Sequence, residues 1–364
     1  MNSKERILTT INHEEPDRVP LDAWLAPGLT DNLKQLFGLT AADGDWALPK
    51  RLGHDLLKSS MAGVCDGFSS TDHEERRIGD NLYQDKFGIQ WRLKKHDYVS
   101  YCEFARHPLA DPADYDAYRW PDPSTSEQQV LQECERLVAR DGRDYAIMGS
   151  IPCTIFECAW YLRGLENLFM DLALRRDFAE ELFERAAQYA LVVSRRMAEV
   201  GVDIVWWGDD VSHELGPMMK PSDFRTLIKP RYAALVQEVH RVNKDVKTAF
   251  HSDGKIEWML DDLADIGFDI INPLQPDAND VAAVKKRYGK RFTFWGNVDT
   301  RGVMSHGTAA DVVAEVKHVL RTLAPGGGHI FCSNHTIQDT AGVLDRTLAY
   351  YWAFQQFNRY PLSV

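Results

Sequence analysis

The sequence predicts an α/β protein: a (β/α)8 TIM barrel with an N-terminal helical extension and an inserted hairpin-rich segment. Three observations predict it. From residue 145 onward, short β-branched or aromatic runs alternate with longer segments of helical period, the pattern of βα units around a parallel sheet. No Gly-x-Gly-x-x-Gly follows any of these runs, which disfavours an open dinucleotide-binding sheet. Polar residues gather where the runs end, and barrels build their sites at the C-terminal ends of strands.

In chain order, SKERILTTIN places Ser3 as an N-cap with Ile7 and Ile11 on one face, so a helix precedes the first strand. RVPLDAW (18–24) and DLLKSSM (55–61) are the first two strand candidates. Residues 62–144 break the alternation and are expected to cap the barrel. Within them DNLYQDKFGIQWRLKKHDYVSYCEF reads as extended and hairpin-like, and HPLADPADYDAYRWPDPS as a Pro- and Asp-rich connection. Six more strands follow: YAIMGSI (145–151), DIVWWGDD (203–210), VKTAFHSDG (246–254), DIINPL (269–274), FTFWGNVD (292–299) and HIFCSNH (329–335). The segments between them are helical and mostly end at Gly or Asn. No repeat or flexible linker divides residues 1–364, so a single barrel domain is expected.

With 44% hydrophobic and 26% charged residues, the 364-residue chain has the balance of a soluble globular protein. Its formal charge of −12, from 42 Lys and Arg against 54 Asp and Glu, is a poor footing for nucleic acid or an anionic membrane. No run approaches the roughly 18 apolar residues of a membrane span, and the opening residues lack a signal-peptide core, so a cytoplasmic location is expected. Six scattered cysteines, Cys65, Cys102, Cys134, Cys153, Cys158 and Cys332, suggest reduced thiols rather than a disulfide framework.

The strand ends supply Asp209, Asp210, His251, Asp253, Gln275, Asn297, Asp299, Cys332, Asn334 and His335. Imidazole, carboxylate and thiolate are ligands zinc prefers, so His251, Asp253 and Cys332, joined by Glu157, form the candidate metal set. The competing reading has His251 and Asp253 binding substrate directly and Cys332 as a small buried apolar residue. His335 is the candidate for proton transfer or substrate orientation. Asp209 and Asp210 could serve as acid, base or cation anchor; a carboxylate pair before a helix is equally a capping arrangement, so one of the two, Asp210, is assigned to the pocket. Trp24, Trp206 and Trp295 could wall a planar ligand, with Gln275, Asn297 and Asn334 as polar contacts. The GGG at 326–328 lacks a following Lys-Ser/Thr and is assigned to a turn. No serine-hydrolase elbow or P-loop is present.

Five stretches together resemble the uroporphyrinogen decarboxylase superfamily: KERILTTINHEEPDRVP, FECAWYLRGLENLFMDL, FHSDGKI, FTFWGNVDT and GGGHIFCSNHTIQDT. The resemblance spans nearly the whole chain and implies a barrel. It favours the branch of zinc-dependent corrinoid methyltransferases over the true porphyrinogen decarboxylases. The decarboxylases carry an Arg-rich segment after the first strand; here LDAWLAPGLTDNL has no Lys or Arg before Lys34. The methyltransferase branch has a His-x-Cys pair, a further Cys on the last strand and an upstream Glu near the metal. The matching positions here are His251, Asp253, Cys332 and Glu157, so a carboxylate replaces one thiolate.

The resemblance implies a zinc-dependent methyltransferase that moves a methyl group from a small methylated substrate to the cobalt of a separate corrinoid protein. An aryl methyl ether is the candidate donor, because a mixed N, O and S site suits zinc as a Lewis acid on oxygen. A homodimer is the habit of such folds. The runner-up is a metal-independent decarboxylase of a small carboxylated substrate, with Asp210 or His335 managing the proton and Asn297 and Asn334 binding the acid. A third reading is a catalytically silent small-molecule binder.

Overall fold

The computed structural model of the chain describes residues 1–63, 77–95 and 100–363. Its centre is a seven-stranded parallel sheet: β1 (Leu56–Met61), β2 (Ala146–Ile151), β3 (Ile204–Gly208), β4 (Lys247–His251), β5 (Ile270–Asn272), β6 (Thr293–Val298) and β7 (His329–Ser333). Each strand pairs with the next in sequence, so the sheet order is the chain order. That is what repeated βα crossovers of one hand produce. Five strands, β2, β3, β5, β6 and β7, are buried along their whole length, which explains near-continuous apolar runs such as Ile204–Gly208 in place of alternation.

Side chains of the sheet divide into two layers. Leu56, Met148, Ile204, Trp206, Ala249, Ile270, Trp295, Ile330 and Cys332 pack together on the concave side, and Ile7 and Ile11 join them from the N-terminal helix Ser3–Ile11. That helix closes the base of the curled sheet. Its cap is Asn2 rather than Ser3: Asn2 Oδ1 accepts from Glu5 N at 2.8 Å, and Glu5 Oε2 accepts from Asn2 N at 3.0 Å. The larger second layer joins the convex side to the helices. The helices Arg176–Val200 and Leu260–Ile266 end at Gly201 and Gly267 in the left-handed conformation, which matches their sequence stop signals.

The strand expected over 18–24 is instead a run of single bridges. Leu21 pairs with Phe331 and Leu25 with Ile337, both parallel. Asp22 N donates to Phe331 O and Phe331 N to Pro20 O, both at 2.9 Å, while Asp55 N donates to Leu21 O at 2.8 Å. The segment thus ties β7 to the entrance of β1 without a continuous ladder. Pro20 has no N–H to offer one.

Among the described residues, the extended structure expected over 80–104 corresponds to part of a four-stranded antiparallel sheet made by Arg77–Gly79, Leu82–Gln84, Gln90–Lys95 and Ser100–Arg106; residues 96–99 lie outside the described residues. Residues 128–141, included in the expected insertion, are different. They form the helix Gln128–Asp141, which packs on β1 and β2 and is the crossover between them. Cys65 lies outside the described residues. The glycines at 326–328 make a left-handed turn against the N-terminal segment, as assigned: a Cβ on Gly327 would lie 2.5 Å from the Glu14 carbonyl oxygen.

Candidate functional site

The site begins at the end of β3, where two adjacent carboxylates diverge. Asp209 is fully buried and accepts hydrogen bonds from the backbone N–H groups of Ile155, Phe156 and Glu157 at 3.3, 2.9 and 2.7 Å, and from the Tyr232 hydroxyl at 2.9 Å. It thereby caps the helix Phe156–Arg163, which has no side-chain cap of its own. Burial pushes the pKa of Asp209 up to about 6, against the pull of these donors. Asp210 instead faces a cavity, and its Oδ1 accepts from Asp253 N at 2.8 Å.

His251 closes β4 beside these carboxylates. Its Nε2 lies 3.8 Å from Asp210 Oδ1 and 4.0 Å from Asp253 Oδ1. Its other nitrogen is fixed by Asn272 at the end of β5. Trp206 Nε1 can only donate, so the Asn272 atom 3.2 Å away is the amide oxygen; Asn272 Nδ2 donates to the Trp295 carbonyl at 2.9 Å. The same oxygen is 2.8 Å from His251 Nδ1, which must therefore carry the proton. Its Nε2 then faces the carboxylates and is the nitrogen left to bind a metal. Asp210, His251 and Asp253 each offer a ligand atom, all within 4.8 Å of one another.

Glu157 adds a further negative group. Its Oε2 accepts from Asp210 N at 2.9 Å, and the side chain is buried, not on the surface. Burial first, then the charges of Asp210 and Asp209, holds its carboxyl well above the usual carboxylate range.

Two cavities meet at this group. The inner one, about 220 Å³, is walled by Trp24, Trp206, Tyr161 and Met61, with Glu157, Asp210 and His251 on its floor. An engineered cavity of about 150 Å³ holds benzene, so this volume suits one substituted ring. Among the described residues none lining it is Lys or Arg. The outer cavity, about 450 Å³, is polar and includes Gln275, Thr300 and Arg301; it shares Asp210, His335 and Thr336 with the inner one.

The structure gathers some of the sequence-derived residues and separates others. His335 stands at the junction, its Nε2 3.6 Å from Asp253 Oδ2. Trp24 and Trp206 wall the inner cavity with ring centroids 5.5 Å apart, and Trp24 stacks on His251. Asn334 lines the same cavity, while Gln275 lines the outer one and accepts from Gly254 N. Cys332 is not in the three-residue group: it sits fully buried in the concave layer, its Sγ 3.9 Å from Asp22 Oδ2. Burial, then the Asp22 charge, raises its thiol far above the usual range. Trp295 lies in that layer with no exposure, and both amide atoms of Asn297 bond the backbone of Leu274. Sequence reasoning missed Asn272 and Tyr161. Asn272 ends a strand one position before Pro273, in the class of position already judged informative, and was a findable signal; Tyr161 lies on a helix with nothing to mark it.

The family model for uroporphyrinogen decarboxylase (URO-D) matches residues 84–341. The chain belongs to the URO-D family. It is 28% identical over 206 residues to the methylcobamide:CoM methyltransferase MtaA of Methanosarcina barkeri, and 27% identical over 206 residues to the same enzyme of the Fusaro strain. These matches cover 55% of this chain and 57% of each relative, so the chain spans a little over half the length of the curated relatives it matches. A solved methyltransferase from Methanosarcina mazei superposes with a TM-score of 0.71 at 19% identity, covering 98% of this chain and 99% of that one. That likeness supports the fold.

Zinc is the metal implied by the family resemblance, and the residues present fit it. One imidazole nitrogen and two carboxylates converge, and Asp253 Oδ1 is buried without a hydrogen-bond partner. Three protein ligands with an open position are the usual donor set of catalytic zinc. The fit uses Asp210 where the sequence had suggested Cys332. Among the described residues no helix is long and apolar enough to cross a membrane.

Proposed function

We propose that this protein is a zinc-dependent methyltransferase that moves a methyl group from a small methylated substrate, an aryl methyl ether, to the cobalt of a separate corrinoid protein. The observation that carries the reading is the convergence of Asp210, His251 and Asp253 where the outer cavity meets a ring-sized inner one, which Asp210 and His251 line and which has no Lys or Arg among the described residues of its lining. Among its described residues such a cavity offers no Lys or Arg to a polycarboxylate, and it is too small for four pyrrole rings, which counts against a porphyrinogen substrate.

In this proposal Asp210, His251 and Asp253 hold the metal, and Asn272 fixes the His251 tautomer. Zinc bound there supplies Lewis acidity toward the ether oxygen. Trp24 and Trp206 hold the ring and exclude water, and His335 delivers the proton that the oxygen takes up when its bond to the methyl carbon breaks. The outer cavity faces the corrinoid acceptor. The proposal takes residues 1–364 as one barrel, closed by the 18–25 segment and capped by the insert.

The test is methyl transfer from methoxylated aromatics to a corrinoid protein or to cob(I)alamin, with zinc-loaded protein. Stoichiometric methylation supports the proposal. Failure with every methoxylated aromatic, in protein carrying one zinc per chain, overturns the aryl-ether version.

A further inference from the structure

The inner cavity is lined mainly by acceptors on its metal-binding side, and it also carries an unmatched donor. Asn334 follows β7 and is 2% exposed. Thr300 N and Thr300 Oγ1 both donate to its Oδ1, at 3.0 and 2.7 Å. A backbone N–H can only donate, so this pair fixes which end of the amide is oxygen and directs Nδ2 away from Thr300. Asn334 Nδ2 is buried, has no protein hydrogen-bond partner, and belongs to a residue on the cavity wall. Trp24, on the same wall, likewise keeps a buried Nε1 with no partner.

A buried N–H left unmatched is unfavourable, and a ligand that supplies an acceptor relieves it. We propose that Asn334, oriented by Thr300, is a substrate-binding residue that selects ligands bearing an oxygen acceptor on the ring over bare hydrocarbons of the same shape. Asn334 touches the ligand; Thr300 is a positioning residue that acts through it. The inference deepens the proposed function, since it rests on the same cavity being the substrate site. It names the residue that reads the oxygen substituent of the ring.

The test uses two isosteric probes, acetophenone and α-methylstyrene, which differ by C=O against C=CH2. Their binding is measured by calorimetry on the full-length, zinc-loaded protein. The native protein is expected to prefer acetophenone about tenfold, the penalty for a buried donor left unpaired. Asn334→Asp keeps the acceptor for both Thr300 donors and replaces only the amide N–H, so the preference should be lost or reversed. Asn334→Leu should abolish it. Thr300→Val should reduce it while leaving α-methylstyrene affinity unchanged, which a merely structural role for Thr300 would not do. A preference that survives in Asn334→Asp, or no preference in the native protein, including no binding of either probe, overturns the inference. Methyl transfer is assayed separately: probe selectivity without any transfer would sink the proposed function and leave the role of Asn334 standing.

Discussion

Asn272 Oδ1 lies 2.8 Å from His251 Nδ1 and decides which nitrogen of that imidazole is free. Because the same oxygen is locked by Trp206, the choice is made by side chains on the two strands that flank His251. Asn272→Leu removes the acceptor and lets the ring turn or change tautomer. Zinc affinity is expected to fall by about 10- to 100-fold, the usual effect of losing such a partner. Asn272→Asp keeps an acceptor and should retain most of the affinity. Competition titration with a zinc chelator measures both.

The proposed ligand set differs from the one the sequence suggested, and elemental analysis separates them. Native protein should carry about one zinc per chain after repletion. His251→Ala and Asp253→Ala should carry little. Cys332→Ser should keep its zinc, because Cys332 is buried in the concave layer outside the three-residue group. Loss of metal in Cys332→Ser would restore the thiolate ligand and displace Asp210.

Asp209 is expected to matter through the helix it caps. Asp209→Ala leaves three backbone donors and the Tyr232 hydroxyl unmatched in the interior, at about 3 kcal/mol or more. Thermal unfolding should drop by several degrees. The variant should also lose ligand binding, since Glu157 lies in the first turn of that helix.

His329 gives a pH dependence remote from the metal group. Burial lowers its pKa to about 3, and its Nε2 bonds the Gly296 carbonyl at 2.8 Å. Between that value and the unfolded pKa near 6.5, only the unfolded chain binds the proton, so stability falls as pH falls below 6.5, at about 1.4 kcal/mol per pH unit. Buried carboxylates such as Asp209 act in the opposite sense. The informative quantity is therefore the difference between native protein and His329→Gln in urea titrations at pH 7.5 and pH 5.5. His329→Gln should lose less stability on acidification, by about 1.4 kcal/mol.

Much of the fold was legible because its signals are local. Buried runs such as Ile204–Gly208 and Thr293–Val298 announce strands without tertiary information. The 18–24 segment looked equally strand-like, and what makes it a set of single bridges, Pro20 against Phe331, is a contact across the chain. The helix Gln128–Asp141 was hidden by its Pro- and Asp-rich neighbourhood. At the site, His251, Asp253 and Asp210 stood at strand ends and could be singled out there. The layer in which Cys332 lies depends on strand register, and the roles of Asn272 and Asn297 depend on which backbone or side-chain atoms meet their amides. Residue types fix none of these.

The bridge between Leu21 and Phe331 also has a consequence for synthesis. The segment that joins the last strand to the first emerges from the ribosome early, yet its partner follows about three hundred residues later, on the order of half a minute of translation. Until then the β1 edge stands open beside an N-terminal helix whose Ile7 and Ile11 have only part of their packing. The last strand made is thus the one that completes the packing of the first residues made, because Phe331 is the bridge partner of Leu21.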